Sequence, residues 1–184
     1  QGKSFKVVCD LDFSEIVEEV NINKFVGNMD FDNHSIKGLC ETNSFYGWLF
    51  TNVGSVSTST KICNANIVID GGAGLVFSVN YAKEFIMENI TATGSAEITG
   101  DNNYSPFISR ITSYSNAICN VVMKNCINNA NITSDACTGV FVGKLSVENA
   151  GVASAKIEFN RCVNNGTVVR TTGIAAMLFA NPCT

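Results

Sequence analysis

Cys126-Ile127-Asn128-Asn129-Ala130-Asn131-Ile132 returns thirty-six residues later as Cys162-Val163-Asn164-Asn165-Gly166-Thr167-Val168, matched nearly position by position. An internal repeat of a few tens of residues marks one structural unit used more than once, and it constrains the architecture before any motif is read. A second element recurs beside it, a small residue followed by apolar ones: Gly47-Trp48-Leu49-Phe50, Gly74-Leu75-Val76-Phe77, Ser105-Pro106-Phe107-Ile108, Gly139-Val140-Phe141-Val142 and Gly173-Ile174-Ala175-Ala176. These start 27, 31, 34 and 34 residues apart. After a loop of variable length comes a β-branched or Asn-rich run, at 61–69, 85–91, 121–127 and 157–163. The repeated unit is therefore two short strands with turns.

The runs are short, rich in Val, Ile, Thr and Phe, and bounded by Gly, Asn and Ser, a pattern of strands rather than of 3.6-residue helical periodicity. Only Asp12 to Asn21 carries a helical signal. Ser14 is placed to cap it, with Glu15, Glu18 and Glu19 in its first turns and Phe13, Ile16, Val17 and Val20 on one side.

Strand units too small to bury their own apolar face must stack on a neighbour. The expected fold is all-β: a single-stranded parallel β-helix, a solenoid of about five coils, whose coils start near residues 47, 74, 105, 139 and 173 and occupy 44–184. Residues 1–43 are expected to supply an N-terminal cap, with the short helix as a lid, and a first coil. Equivalent positions then form ladders about 4.8 Å apart. Leu49, Val76, Phe107, Phe141 and Ala175 make one interior ladder, and Ile90, Cys126 and Cys162 another. Asn128 over Asn164 and Asn129 over Asn165 fall at turns, where Asn tolerates left-handed backbone and its amide bonds the copy above. Cys126 and Cys162 are spaced either for a disulfide or as buried thiols stacked in the core.

With 46% hydrophobic and 15% charged residues over 184 positions, the chain is about one domain with a real core. The net charge of −4, with 12 Lys and Arg scattered singly, offers no basic stripe, so no nucleic-acid partner is expected. No stretch reaches the roughly 18 apolar residues of a membrane span, so membrane insertion is not expected either. Gln1 suits a mature secreted end or a fragment boundary.

Five Asn-x-Ser/Thr sequons, at Asn33, Asn89, Asn103, Asn131 and Asn165, accompany eight cysteines: Cys9, Cys40, Cys63, Cys119, Cys126, Cys137, Cys162 and Cys183. Together they point to a secreted, extracellular glycoprotein bearing N-linked glycans and disulfides, with all eight cysteines as disulfide candidates. Zinc ligands come in close pairs such as C-x-x-C. No pair here has that spacing and His34 is the single histidine, so neither metal nor cofactor is expected.

The apolar Gly-led runs, each followed by an Ile/Cys/Asn-rich strand, are preceded by Phe25-Val26-Gly27-Asn28-Met29-Asp30-Phe31-Asp32-Asn33-His34-Ser35-Ile36-Lys37-Gly38-Leu39. This arrangement over residues 24 to 180 resembles the GLUG-type repeats of extracellular right-handed β-helix proteins. The chain departs from that pattern where a Gly should close each run: the residues there are Thr51, Ser78, Ser109, Gly143 and Met177. The resemblance implies a surface or secreted adhesin-like or wall-associated protein. The sequons imply a eukaryotic source of the protist kind.

Enzymes on parallel β-helices need paired carboxylates or a cluster of Asp on one strand face. Asp10 with Asp12 and Asp30 with Asp32 are the candidates, being i, i+2 pairs, but both lie outside the repeats. No nucleophile elbow is present, and His34 sits inside a sequon. Gly71-Gly72-Ala73-Gly74 lacks the Lys and helix of a phosphate loop and reads as a turn. Arg110, Lys144 and Arg170 follow apolar runs, either as a solvated face or as an anion-binding groove. No catalytic residue is assigned.

Two function classes follow. The first is a non-enzymatic extracellular structural glycoprotein, a module of a cell-surface or fibrous assembly that self-associates or abuts neighbouring domains of a larger surface protein. Its tail, with Ile174, Met177, Leu178 and Phe179, is expected to begin an apolar coil able to pair head to tail with the next subunit into filaments. The alternative is a carbohydrate-binding adhesin or lectin module using Tyr46, Trp48, Tyr81, Tyr104 and Tyr114, which occupy different offsets in their repeats. A polysaccharide-active enzyme is the third.

Overall fold

A computed structural model describes residues 2–16, 20–39, 47–71, 74–99, 103–114, 118–135, 138–148 and 154–171. Among these residues there are strands, bridges and turns but no helix, and every strand pairing is parallel. The strands are β1 (Lys3–Lys6), β2 (Leu11–Asp12), β3 (Gly27–Asp30), β4 (Ser35–Lys37), β5 (Trp48–Val53), β6 (Thr60–Asp70), β7 (Gly74–Asn80) and β8 (Phe85–Ile98). They continue with β9 (Ile108–Tyr114), β10 (Ile118–Lys124), β11 (Ile127–Asn128), β12 (Asn131–Ser134), β13 (Val142–Glu148), β14 (Ser154–Asn160), β15 (Val163–Asn164) and β16 (Val168–Arg170).

Two sheets result. The larger runs β1-β3-β6-β8-β10-β14, with the short β2, β4, β11, β12, β15 and β16 attached; the smaller runs β13-β9-β7-β5. Parallel neighbours never come from a hairpin, so the chain alternates between sheets, β5 to β6, β7 to β8 and β9 to β10, and returns one row further on. Side chains between the sheets make one core, with Phe50, Leu75, Phe85, Met87, Ile90, Phe107 and Ile108 all buried. The strands follow the expected alternation: β6 reads Ile62, Ala65, Ile67 and Ile69 inward, with Asn66, Val68 and Asp70 outward.

The register confirms the Ile90, Cys126, Cys162 ladder, extended below by Ala65. Ala65 is the partner of Ile90, and the two cysteines immediately precede the paired Ile127 and Val163. It corrects the other ladder by one residue. Leu49, Leu75, Phe107 and Phe141 share a column, whereas Val76 lies with Phe50, Ile108 and Val142. The spacing between Gly-led runs varies, so counting from the glycine does not give the true partner. Gly74 itself sits against the face of Trp48, where an added Cβ would fall inside the indole. Ala175 lies outside the described residues.

The helical lid is corrected as well. Leu11 and Asp12 are strand, paired with Ile36 and Lys37 of β4, and the Phe13 N–H bonds Lys37 O at 2.9 Å. Asp12 Oδ1 accepts from Ser14 N–H (3.0 Å) and Ser14 Oγ–H (2.7 Å), folding the chain into a turn rather than starting a helix. Residues 17–19 of that stretch are outside the described set. The segment 1–43 thus contributes β1 to β4 to the larger sheet.

Candidate functional site: ladders, sequons and sheet edges

Amide ladders run from strand to strand across the sheets. Asn125 Nδ2 donates to Asn89 Oδ1 (2.9 Å), Asn89 Nδ2 to Asn64 Oδ1 (2.8 Å), and Asn64 Nδ2 to Asp30 Oδ1 (2.9 Å). All the donors point the same way, and the chain ends on a carboxylate, which the Asn64 bond holds below its usual pKa. Asn64, Asn89 and Asn125 have φ of 57°, 55° and 51°, the left-handed conformation that Asn accepts best among non-glycine residues. Arg161 occupies the next position of this column at φ 52° and ends the series.

A second ladder joins Asn80 to Asn52 (2.7 Å) and Asn52 to Asn23 (3.0 Å). The third and fourth join the partners anticipated from the repeat: Asn128 Nδ2 donates to Asn164 Oδ1 at 2.8 Å, and Asn165 Nδ2 to Asn129 Oδ1 at 2.9 Å. Asn128 and Asn164, however, lie in β11 and β15 rather than at turns, and none of the four has the expected left-handed backbone. Asn128 is fully buried, with Oδ1 accepting the Ala130 N–H at 3.3 Å, whereas Asn129 is exposed.

Of the sequon asparagines, Asn33, Asn89, Asn131 and Asn165 are exposed, and Asn103 is half-buried beside buried Tyr104 and Ser105. Asn89 and Asn165 donate to their ladders from Nδ2, the atom an N-linked glycan would take; a glycosylated amide keeps one N–H, so sequon and ladder are chemically compatible.

Cys9, Cys63, Cys119, Cys126 and Cys162 carry free thiols; Cys40, Cys137 and Cys183 lie outside the described residues. Cys126 and Cys162 face one another in the core column, with Val163 N–H bonded to Cys126 O at 2.9 Å. Pairing with Cys162, reinforced by burial, pushes the Cys126 thiol up, and the Cys126 hydrogen bond holds Cys162 down. Burial raises Cys63 and Cys119. Buried thiols with raised pKa are inert.

The carboxylate pairs proposed from sequence are used to hold turns. Asp10 Oδ1 accepts the Ser35 N–H (2.7 Å) and contacts His34 Nδ1 (3.2 Å), and Asp12 binds Ser14 and Lys37. Asp30 accepts from Asp32 N–H and Asn64, while Asp32 pairs with Lys6 at 2.8 Å. Among the described residues, no three His, Cys, Asp or Glu side chains gather into a metal site.

Among the described residues, Trp48, Tyr81 and Tyr104 do not form one platform. Trp48 and Tyr104 are buried against each other, ring centroids 5.7 Å apart, while Tyr81 is exposed on its own turn. Tyr46 is outside the described residues. A groove of about 270 Å³, lined by Lys83, Glu84, Asn120, Val122, Lys156 and Glu158, carries both charge signs. Asn120 Nδ2 closes part of it onto Lys83 O at 2.9 Å. Of the three cations following apolar runs, Arg110 and Lys144 are brought together, and Arg170 is carried to the other sheet on β16. The proposed assembly residues Ile174, Met177, Leu178 and Phe179 are outside the described residues. Sequence reading had no signal for the Asn64-Asn89-Asn125 ladder, because the three asparagines lie in segments of different lengths.

Compared with protein-family models, with curated proteins and with solved structures, the chain matches none of them.

Proposed function

We propose that the chain is a module of an extracellular structural glycoprotein, built as a parallel β-helix solenoid of about five coils and related in kind to the GLUG-type repeats it resembles. The observation that carries this reading is the fixed interval of the later rows. Asn125 to Asn89, Asn128 to Asn164 and Asn129 to Asn165 are all contacts across 36 residues. A constant interval between parallel partners is what one coil per repeat produces. In this reading residues 1–43 form the first coil and 44–184 the rest. The work of the module is to span and display, not to catalyse. Its candidate carboxylates are spent on turns and ladder ends, and its amide ladders brace the stack.

The end rows favour stacking with a neighbour, a further domain of a longer polypeptide or a second copy. The column Phe5, Met29, Ile62, Met87, Met123, Phe159 runs through the larger sheet. Ile62, Met87 and Met123 are buried and Met29 half-buried, while at the two edges of the described sheet Phe5 is 47% exposed and Phe159 half-buried. Head-to-tail stacking would cover both edges and extend the column.

Negative-stain electron microscopy of native material, with an intact-mass spectrum before and after glycosidase treatment, tests this. Rods or filaments that lose mass on deglycosylation are expected. Compact, unglycosylated monomers over a wide concentration range would overturn it.

A further inference from the structure

Arg110 of β9 and Lys144 of β13 are register partners, so their side chains leave the same face of the smaller sheet one strand spacing apart, about 4.8 Å. Below them in the column come Ser78 and Asn52. Arg110 is pinned: Nε donates to Ser78 Oγ at 3.2 Å, and the guanidinium lies 4.6 Å above the Phe77 ring. That bond uses one of its five N–H donors. Among the described residues Arg110 has no other polar partner and Lys144 has none, and both side chains are half exposed.

Like charges directly opposite each other on neighbouring strands are destabilising. Elsewhere on the surface Lys6, Lys37, Lys61 and Lys156 each reach a carboxylate within 4.0 Å. Among the described residues neither Arg110 nor Lys144 reaches a carboxylate, in a chain whose net charge is −4. An oxyanion seated between them would relieve the repulsion. Arg110 offers it a planar fork already fixed by Phe77 and Ser78, and Lys144 adds a movable point charge.

We propose that this face binds the carboxylate or sulfate groups of an acidic polysaccharide, with Arg110 and Lys144 sharing one oxyanion. The extended shape of the site selects a polymer. From Lys144 the column runs through Arg110, over the buried Ser78, to Asn52, three strand spacings or about 14 Å. There the Asn23-Asn52-Asn80 amides provide donors and acceptors for sugar hydroxyls. Two isolated cations are too few to hold a nucleic-acid backbone. This goes beyond the structural reading and does not depend on it.

Isothermal calorimetry of the whole chain with dextran sulfate, polygalacturonate and neutral dextran, at about 0.15 M salt, tests the proposal. Binding to dextran sulfate, polygalacturonate or both is expected, and which polymer binds identifies the oxyanion. Neutral dextran should not bind. Lys144→Gln should weaken binding about tenfold, Arg110→Gln with Lys144→Gln should abolish it, and Lys144→Arg should restore it. Among the described residues Lys144 has no partner to lose, and its removal relieves the repulsion with Arg110, so Lys144→Gln should melt no lower than the parent chain and isolates the loss of binding from loss of folding. Absence of binding to both acidic polymers, equal binding by Lys144→Gln, or equal binding of neutral dextran would overturn it.

Discussion

Asn128→Ala should cost far more stability than Asn129→Ala, although the two residues are adjacent and each forms one rung with a partner 36 residues away. Asn128 is fully buried. Its removal loses the 2.8 Å bond to Asn164, a net loss of about 1 kcal/mol. It also strands the N–H of Ala130, itself fully buried, whose acceptor is Asn128 Oδ1; an unsatisfied buried donor costs about 1–3 kcal/mol. The sum is about 2–4 kcal/mol. Asn129 is exposed, water replaces its amide on Asn165, and the loss stays below about 1 kcal/mol. Equilibrium urea unfolding followed by far-ultraviolet circular dichroism measures both, with an unchanged denaturant slope as the check that only stability moved. Equal costs for the two variants, or a cost under about 1 kcal/mol for Asn128→Ala, would refute the assignment of the buried rung as a structural element.

Arg161→Asn should stabilise the chain by about 0.5–1 kcal/mol, because Asn tolerates φ 52° better than Arg and adds a rung above Asn125. A lower urea midpoint for this variant would show that the column does not continue there. Stability should also fall in acid. Asp12 is held at about 2 by Ser14 and then Lys37, and Asp10, Asp30 and Glu88 are also lowered by hydrogen bonds to Ser35, Asn64 and Lys61. In the unfolded chain these groups take up protons near 3.8 and 4.5, before the folded ones do. Their contribution is therefore complete above about pH 5 and is lost as pH falls toward 2. The melting temperature should stay level from pH 7 to 5 and then drop, with a shallower drop in Asp12→Asn; an unchanged slope in that variant would remove Asp12 from the account.

The Asp12 turn explains why the helical signal at 12–21 misled. Ser14 and the glutamates have the right composition for a helix start, but Asp12 captures the Ser14 N–H and hydroxyl, while the β4 backbone pairs with residues 11 and 12. A backbone segment offered a strand edge takes it when that satisfies its polar groups. Such an edge exists only once β4 is in place.

The amino-acid order alone determined that this protein is made of stacked parallel strands, and where the 126–132 and 162–168 elements meet. A copied element at a constant 36-residue interval has one partner that matches every side chain, so Asn128 met Asn164 and Cys126 met Cys162 as anticipated. The tertiary structure decided what happens where the interval is not constant. Rungs of 25 and 34 residues join Asn89 to Asn64 and Asn64 to Asp30, and the Gly-led runs slip by one residue at Leu75. It also decided that Arg110 and Lys144 stand together while Arg170 goes to the other sheet. The physical reason is the same in each case. Which residues become neighbours across strands depends on how much chain each loop consumes, and loop length leaves little trace in periodicity.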